Sequence, residues 1–170
     1  MGKLKVLELF AGIGACSKAL ERLGIDHEIV DAVEIDKYAI ASFNAVHGTN
    51  FEPQDITTWG KDIECDLLVG GFPCQDISIS GKQAGIIKGE TRSGLMYEMM
   101  RIIAKLKPKY VLAENVKNIL SPKHRPQLEE FLTFLSDQGY AVTMDMLNAK
   151  DFGTPQNRER VYMLGVLDVA

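Results

Sequence analysis

The chain has 170 residues, 46% of them hydrophobic and 25% charged, which describes one ordinary globular domain with enough apolar side chains for a core. Its three cysteines, Cys16, Cys65 and Cys74, include no C-x-x-C pair and no histidine at ligand spacing, so they support neither a disulfide framework nor a zinc site. A net charge of −4 argues against a surface that grips nucleic acid all over, and the absence of a signal-peptide core or a membrane-length apolar run predicts a soluble, cytoplasmic protein with reduced thiols.

Short apolar runs alternate with longer amphipathic segments along the chain. Lys5–Phe10 is predicted as a strand, Ala15–Leu23 as a helix, His27–Glu34 as a strand and Lys37–Val46 as a helix. A short third strand is expected just before Gln54-Asp-Ile-Thr57, then a strand over Cys65–Val69 and a helix over Gly94–Leu106 with Met99, Ile102, Ile103 and Leu106 on one face. Strands at Tyr110–Glu114, Tyr140–Leu147 and Arg160–Val166, with a helix at Gln127–Gln138, complete the pattern. Alternating β and α segments with nearly continuous apolar strands predict an α/β fold: a doubly wound, mostly parallel sheet covered on both faces. The last two strands have only a loop between them, so the last strand is expected to run antiparallel.

In such sheets ligands bind beyond the carboxyl ends of the strands. After the first strand comes Phe10-Ala-Gly-Ile-Gly14, whose glycines suit a tight turn and a close ligand, or simply a strand-to-helix turn. Twenty residues past Gly14 stands Glu34, from which a carboxylate can accept both hydroxyls of a ribose; the pair points to an adenosine-containing cofactor. Ser17 occupies the third-glycine position of a dinucleotide fingerprint and counts against NAD. Asp55 is either an acceptor for an adenine amino group or a turn residue.

Cys74 differs from the other thiols, which read as small buried hydrophobes. It follows Pro73 at the edge of the sheet, and a polar, Gly-rich stretch through Ser80, Gly81, Gly85 and Gly89 to Arg92 comes next. Glu114-Asn-Val116 supplies a carboxylate that leaves an apolar strand with no basic neighbour in sequence, suited to a general acid or to an ion pair. Gln156-Asn-Arg-Glu-Arg160 alternates into the last strand, so Gln156, Arg158 and Arg160 are expected on one face, as a polar clamp or as an exposed strand end.

Taken together, Phe10-x-Gly-x-Gly14, Glu34 with Asp36, Asp55-Ile56, Gly71-Phe-Pro-Cys-Gln75, Glu114-Asn-Val116 and Gln156-x-Arg-x-Arg160 resemble the cytosine C5 DNA methyltransferases, especially the small bacterial and phage modification enzymes of the HhaI type. The likeness covers essentially the whole chain, with mild departures at Glu8, where the family has aspartate, and Ala15, where it often has glycine. It implies S-adenosylmethionine as cofactor, in a methyltransferase fold akin to the dinucleotide-binding sheets, with no metal. It further implies Cys74 as the nucleophile that adds to cytosine C6, and Glu114 as the protonated acid at N3. Arg160 would reach cytosine O2 or the neighbouring backbone, with Arg158 and Gln156 bracing the loop and the carboxylate. The cofactor pocket would comprise Phe10, Ala11, Gly12, Ile13 and Gly14, Glu34 on the ribose, Ile35 and Ile56 about the adenine, Asp55 on its amino group, and Pro73 and Leu95. The target base would flip out of double-stranded DNA, with the segment from Ser78 to Arg92 closing over it and Ser78, Ser80, Gln83, Arg92 and Asn115 on the substrate side.

The family continues into a target-recognition region and a closing segment that packs back on the cofactor domain, whereas this sequence stops at Ala170; residues 1–170 are expected to be the catalytic domain alone, with an apolar face left exposed. A partner chain would then supply recognition. Three other readings stay open: a tRNA cytosine methyltransferase, against which Phe72 counts because that branch favours Pro-Pro-Cys-Gln; an NAD-linked dehydrogenase, which leaves Gly71–Gln75 and Gln156–Arg160 without a purpose; and a cofactor-binding half that is inactive without a second polypeptide.

Overall fold

The computed structural model describes residues 2–72 and 95–168. Six strands, β1 (Leu4–Leu9), β2 (His27–Val33), β3 (Leu67–Gly70), β4 (Tyr110–Val116), β5 (Tyr140–Asn148) and β6 (Glu159–Leu167), form one sheet in the order β2-β1-β3-β4-β6-β5. The pairings among β2, β1, β3 and β4 are parallel, while β6 lies antiparallel between β4 and β5. The mostly parallel sheet and the reversed last strand follow the sequence expectation. The expected short strand before Asp55 does not form: that segment is tied to β2 by one backbone bond, Gln54 N–H to the Glu34 carbonyl at 2.8 Å, and Pro53 has no N–H to extend a ladder.

Among the described residues four α-helices cover the sheet: α1 (Ala15–Arg22), α2 (Lys37–His47), α3 (Met96–Leu106) and α4 (Arg125–Asp137). In α3 the periodic residues Met96, Met99, Ile102 and Ile103 are fully buried, against Leu7, Leu9, Leu68, Val111 and Ala113 of the sheet. Helix α4 adds Leu128, Phe131 and Leu135 to this layer and starts two residues before the expected Gln127, because Pro126 in the first turn would have no intrahelical partner for an N–H anyway. On the other face α1 packs through Leu20 on Val6 and Leu67, and α2 through Ile40 and Phe43 on Ala32. Their cover ends there. Towards β6, Leu164 and Val166 on that face remain 40% and 37% exposed, so among the described residues the sheet is covered on one face and half of the other.

This topology decides where the polar residues meet. Strands β1 to β4 all end at one edge of the sheet, which carries Phe10, Glu34, Gly71 and Glu114. Because β6 runs the other way, its beginning lies at that same edge, with Arg160 opposite Val116 and Tyr162 opposite Glu114.

Candidate active site and cofactor cleft

The turn from β1 into α1 is built on left-handed backbone: φ is 52° at Phe10, 54° at Gly12 and 81° at Gly14. Gly14 caps α1 but has no side chain to accept from its first turn. Glu8 takes that role from inside β1: its Oε1 accepts the Ser17 N–H at 3.0 Å and the Ser17 hydroxyl. Burial pushes the Glu8 carboxyl above its ordinary 4.5, against the bonds from Ser17. Ser17 thus has a structural task, and the departure at Glu8 is a helix cap acting across nine residues.

Glu34 stands beside this turn. Its Oε2 accepts the Gly12 N–H and its Oε1 the Asp36 N–H, both at 2.9 Å, which fixes the carboxylate between the turn and the start of α2 while leaving each oxygen a lone pair for a hydroxyl. Asp36 caps α2 through the Tyr38 and Ala39 amides. Asp55, exposed nearby, accepts the Thr57 N–H and hydroxyl on Oδ1, the turn role the sequence left open, and has Oδ2 remaining. Ile35 is 69% exposed and Ile13 60%, whereas Ile56 is buried in the main core with an edge of 6% exposure. Leu95 is half-buried against the same core.

On the other side of Phe10 and Ala11 a cleft of ≈ 480 Å³ runs along the uncovered face to Gly71, Glu114, Arg158 and Tyr162, with Glu8 and Cys16 in its wall. Glu114 Oε1 pairs with Arg160 Nε at 2.9 Å. Burial raises the Glu114 carboxyl above 4.5, outweighing the pull of Arg160 and Arg158 in the other direction. A Cβ on Gly71 would lie 3.0 Å from Glu114 Oε2, so the glycine makes room for this carboxylate. A second, ≈ 300 Å³ cleft adjoins the first and is lined by Arg158, Arg160, Tyr162, Leu147 and Phe152. Cys16 and Cys65 are pushed by burial up to about 12 and about 11, in keeping with inert thiols.

The structure therefore brings Phe10, Ala11, Glu114 and Arg158 to one cleft, with Arg160 reaching Glu114, and Gly12 to Glu34 behind them. Two expectations are corrected. Asn115 is 1% exposed and, by the alternation of β4, lies on the opposite face to Glu114, next to Val161, with its Oδ1 on the Val116 N–H. Gln156 is exposed in a bend ahead of β6 and does not line either cleft, whereas Arg158 lines both, so the alternation expected from Gln156 to Arg160 does not extend back to it. Tyr162, next in the same alternation, holds that place; a period of two carried one step further identifies it. Pro73, Cys74, Ser78, Ser80, Gln83 and Arg92 lie outside the described residues, as does Gly94. Among the described residues no helix is long and apolar enough to cross a membrane.

Comparison with known proteins returns a consistent picture. The family profile described as C-5 cytosine-specific DNA methylase matches residues 4–169. The chain is 39% identical over 170 residues to the orphan methyltransferase M.SPRI of Bacillus phage SPR, covering 98% of this chain and 38% of that protein. It is 42% identical over 168 residues to the type II methyltransferase M.NlaX of Neisseria lactamica, covering 96% and 52%. The crystal structure of the S. pombe Dnmt2 methyltransferase superposes with a TM-score of 0.77 at 27% identity, over 99% of this chain and 50% of that one. The chain thus spans between about a third and a half of the length of these curated relatives.

Proposed function

The chain belongs to the C-5 cytosine-specific DNA methylases, and from that premise we propose that residues 1–170 are the catalytic and cofactor-binding part of an enzyme that transfers a methyl group from S-adenosylmethionine to C5 of cytosine in double-stranded DNA. The observation that carries the proposal is the meeting, at one sheet edge, of the half-buried Glu114–Arg160 pair and Gly71, three residues before Cys74, with the cleft that leads from Phe10.

The residues fit the cofactor. Glu34 is an oriented carboxylate for the ribose hydroxyls, the backbone of Gly12 has no Cβ to keep a ligand away, and Asp55 Oδ2 is open to an amino group. When bound, S-adenosylmethionine supplies an electrophilic methyl group. The protein's part is to make C5 nucleophilic. The Cys74 thiolate forms a bond to C6, the ring electrons move to N3, and the Glu114 carboxyl gives its proton there, leaving C5 enamine-like. Once C5 carries the methyl group, a base takes the C5 proton, the C5–H electron pair forms the C5=C6 bond and expels Cys74 as thiolate, and N3 returns its proton to Glu114. A carboxyl raised by burial is suited to arrive protonated, and the adjoining Arg160 to bind the carbonyl at O2. Arg158 and Tyr162 close the wall of the cleft. A stacked base cannot reach such a cleft, so the cytosine must be flipped.

We further place target recognition and the closing segment outside these 170 residues, in further sequence or in a second polypeptide. The half-open sheet face with Leu164 and Val166 is the surface such a segment would bury. The test is incorporation of tritiated methyl groups by the 170-residue chain, alone and with a polypeptide carrying a family recognition region, into duplex DNA and into tRNA. Transfer to DNA cytosine only in the reconstituted sample, lost in Cys74→Ser, is the expected result. Robust site-specific methylation by the chain alone would overturn the division of labour, and transfer to tRNA in place of DNA would overturn the substrate.

A further inference from the structure

The turn between β1 and α1 is held from two sides, and only one of them faces the proposed ligand. On that side Gly12 donates to Glu34. Behind the turn stands His47, the last residue of α2, with Nε2 3.3 Å from the Ile13 carbonyl oxygen and its ring packed on Phe43 at 4.6 Å between centroids. The approach is so close that a Cβ on Gly14 would lie 2.2 Å from Nε2. A carbonyl oxygen only accepts, so this contact requires the proton on Nε2. Of the three positive-φ positions in this turn, Gly12 and Gly14 adopt that backbone freely, whereas at Phe10 no glycine freedom offsets the cost and the surroundings must hold the residue there.

We infer that His47 is a positioning residue for the cofactor: its Nε2–H braces the Ile13 carbonyl, and through the rigid turn fixes the spacing between the Gly12 backbone and the Glu34 carboxylate. The inference rests on the cofactor reading of this turn. His47 meets the turn at the Ile13 carbonyl and beside Gly14, whereas Glu34 meets it at the Gly12 N–H, so its influence on binding passes through the backbone. The α2 helix is a suitable anchor, because Asp36 at its other end is itself bonded to Glu34. One helix thereby fixes both the carboxylate and the turn.

The brace is tested in the 170-residue chain with His47→Ala, His47→Phe and His47→Gln. Two quantities are read: the Kd for S-adenosylhomocysteine by calorimetry, and, without ligand, the hydrogen-exchange rate of the Gly14 amide, which is bonded to the Ala11 carbonyl at 2.9 Å. Loss of one braced hydrogen bond predicts about fivefold to tenfold weaker binding and comparably faster Gly14 exchange in the Ala and Phe variants. The Gln variant, which restores an N–H donor, recovers most of both. Wild-type affinity and exchange in His47→Phe would assign the effect to ring bulk and overturn the hydrogen-bond brace; unchanged values in His47→Ala would overturn positioning altogether. A wild-type chain that binds no S-adenosylhomocysteine contradicts the proposed function instead, and Gly14 exchange then decides the brace by itself.

Discussion

Two carboxylates stand at the same edge of the sheet, Glu34 after β2 and Glu114 in β4, and the molecule treats them in opposite ways. Glu34 is bonded by two backbone N–H groups that aim it and leave it an acceptor. Glu114 is set among Gly71, Tyr162 and two guanidiniums in a cleft where lost hydration outweighs the cations and favours the protonated form. The difference follows from the elements behind them. A turn and a helix start offer unpaired N–H groups, whereas the middle of a sheet offers only side chains and burial. In the proposed reaction the first arrangement would bind a neutral polar group by accepting from it, and the second would favour a proton on the carboxyl.

That contrast can be broken at several points. The largest effect is expected for Gly14→Ala, which puts a Cβ where φ is 81° and Phe43 and His47 already lie within 2.7 Å. We expect a loss of about 3 kcal/mol in urea unfolding, since neither the backbone nor the buried ring yields cheaply. Stability equal to wild type would mean that the turn is softer than its geometry implies. Next, Glu34→Ala should weaken S-adenosylhomocysteine binding by about 1.5–3 kcal/mol through lost charge-assisted bonds. An unchanged calorimetric affinity would reduce Glu34 to a structural clasp for Gly12. Gly71→Ala should cost about 1 kcal/mol, because its Cβ must displace the Glu114 carboxylate from 3.0 Å; an additive double variant with Glu114→Ala, which removes the contacting atoms, would show that the two positions do not meet.

The smallest and most diagnostic effects concern pH. A carboxyl raised in the folded state stabilises the fold below its ordinary 4.5, and that contribution is lost as pH rises through the raised value. Removing a guanidinium removes an influence that holds the value down, so Arg160→Ala should move the Glu114 titration, followed by carboxyl ¹³C shifts, further upward. A downward movement would contradict the assignment of causes. Glu8→Gln should likewise flatten the decline of stability with pH above 4.5 while keeping an oxygen for the Ser17 N–H.

Much of this arrangement is legible in the sequence where a short period or a local motif governs it. The apolar strands, the amphipathic α3 and the strand-end placement of Glu34 and Glu114 all follow from alternation and from the β-α order. Five features escape for identifiable reasons. The strand expected before Asp55 overlooks that Pro53 cannot donate, and the substrate-side role that the resemblance implies for Asn115 overlooks that one residue along a strand reverses the face from that of Glu114. The Glu8 cap on Ser17 and the His47 brace on Ile13 join residues nine and thirty-four apart, and no local pattern marks such pairs before the chain is folded. The pairing of Arg160 with Glu114 is of the same kind: a carboxylate without a basic neighbour in sequence acquires one because β6 inserts antiparallel beside β4.

The central claim is that this edge serves a thiol-dependent attack on cytosine, and the measurement that meets it most directly is covalent trapping. Duplex DNA carrying 5-fluorocytosine is incubated with S-adenosylmethionine and the chain reconstituted with a recognition polypeptide, and the cross-linked peptide is mapped by mass spectrometry. After methyl transfer the fluorine at C5 cannot leave as a proton does, so the bond between sulfur and C6 persists. The account predicts the adduct on Cys74 and its disappearance in Cys74→Ser. An adduct on Cys16 or Cys65, or efficient methylation of ordinary DNA by the serine variant, would contradict it.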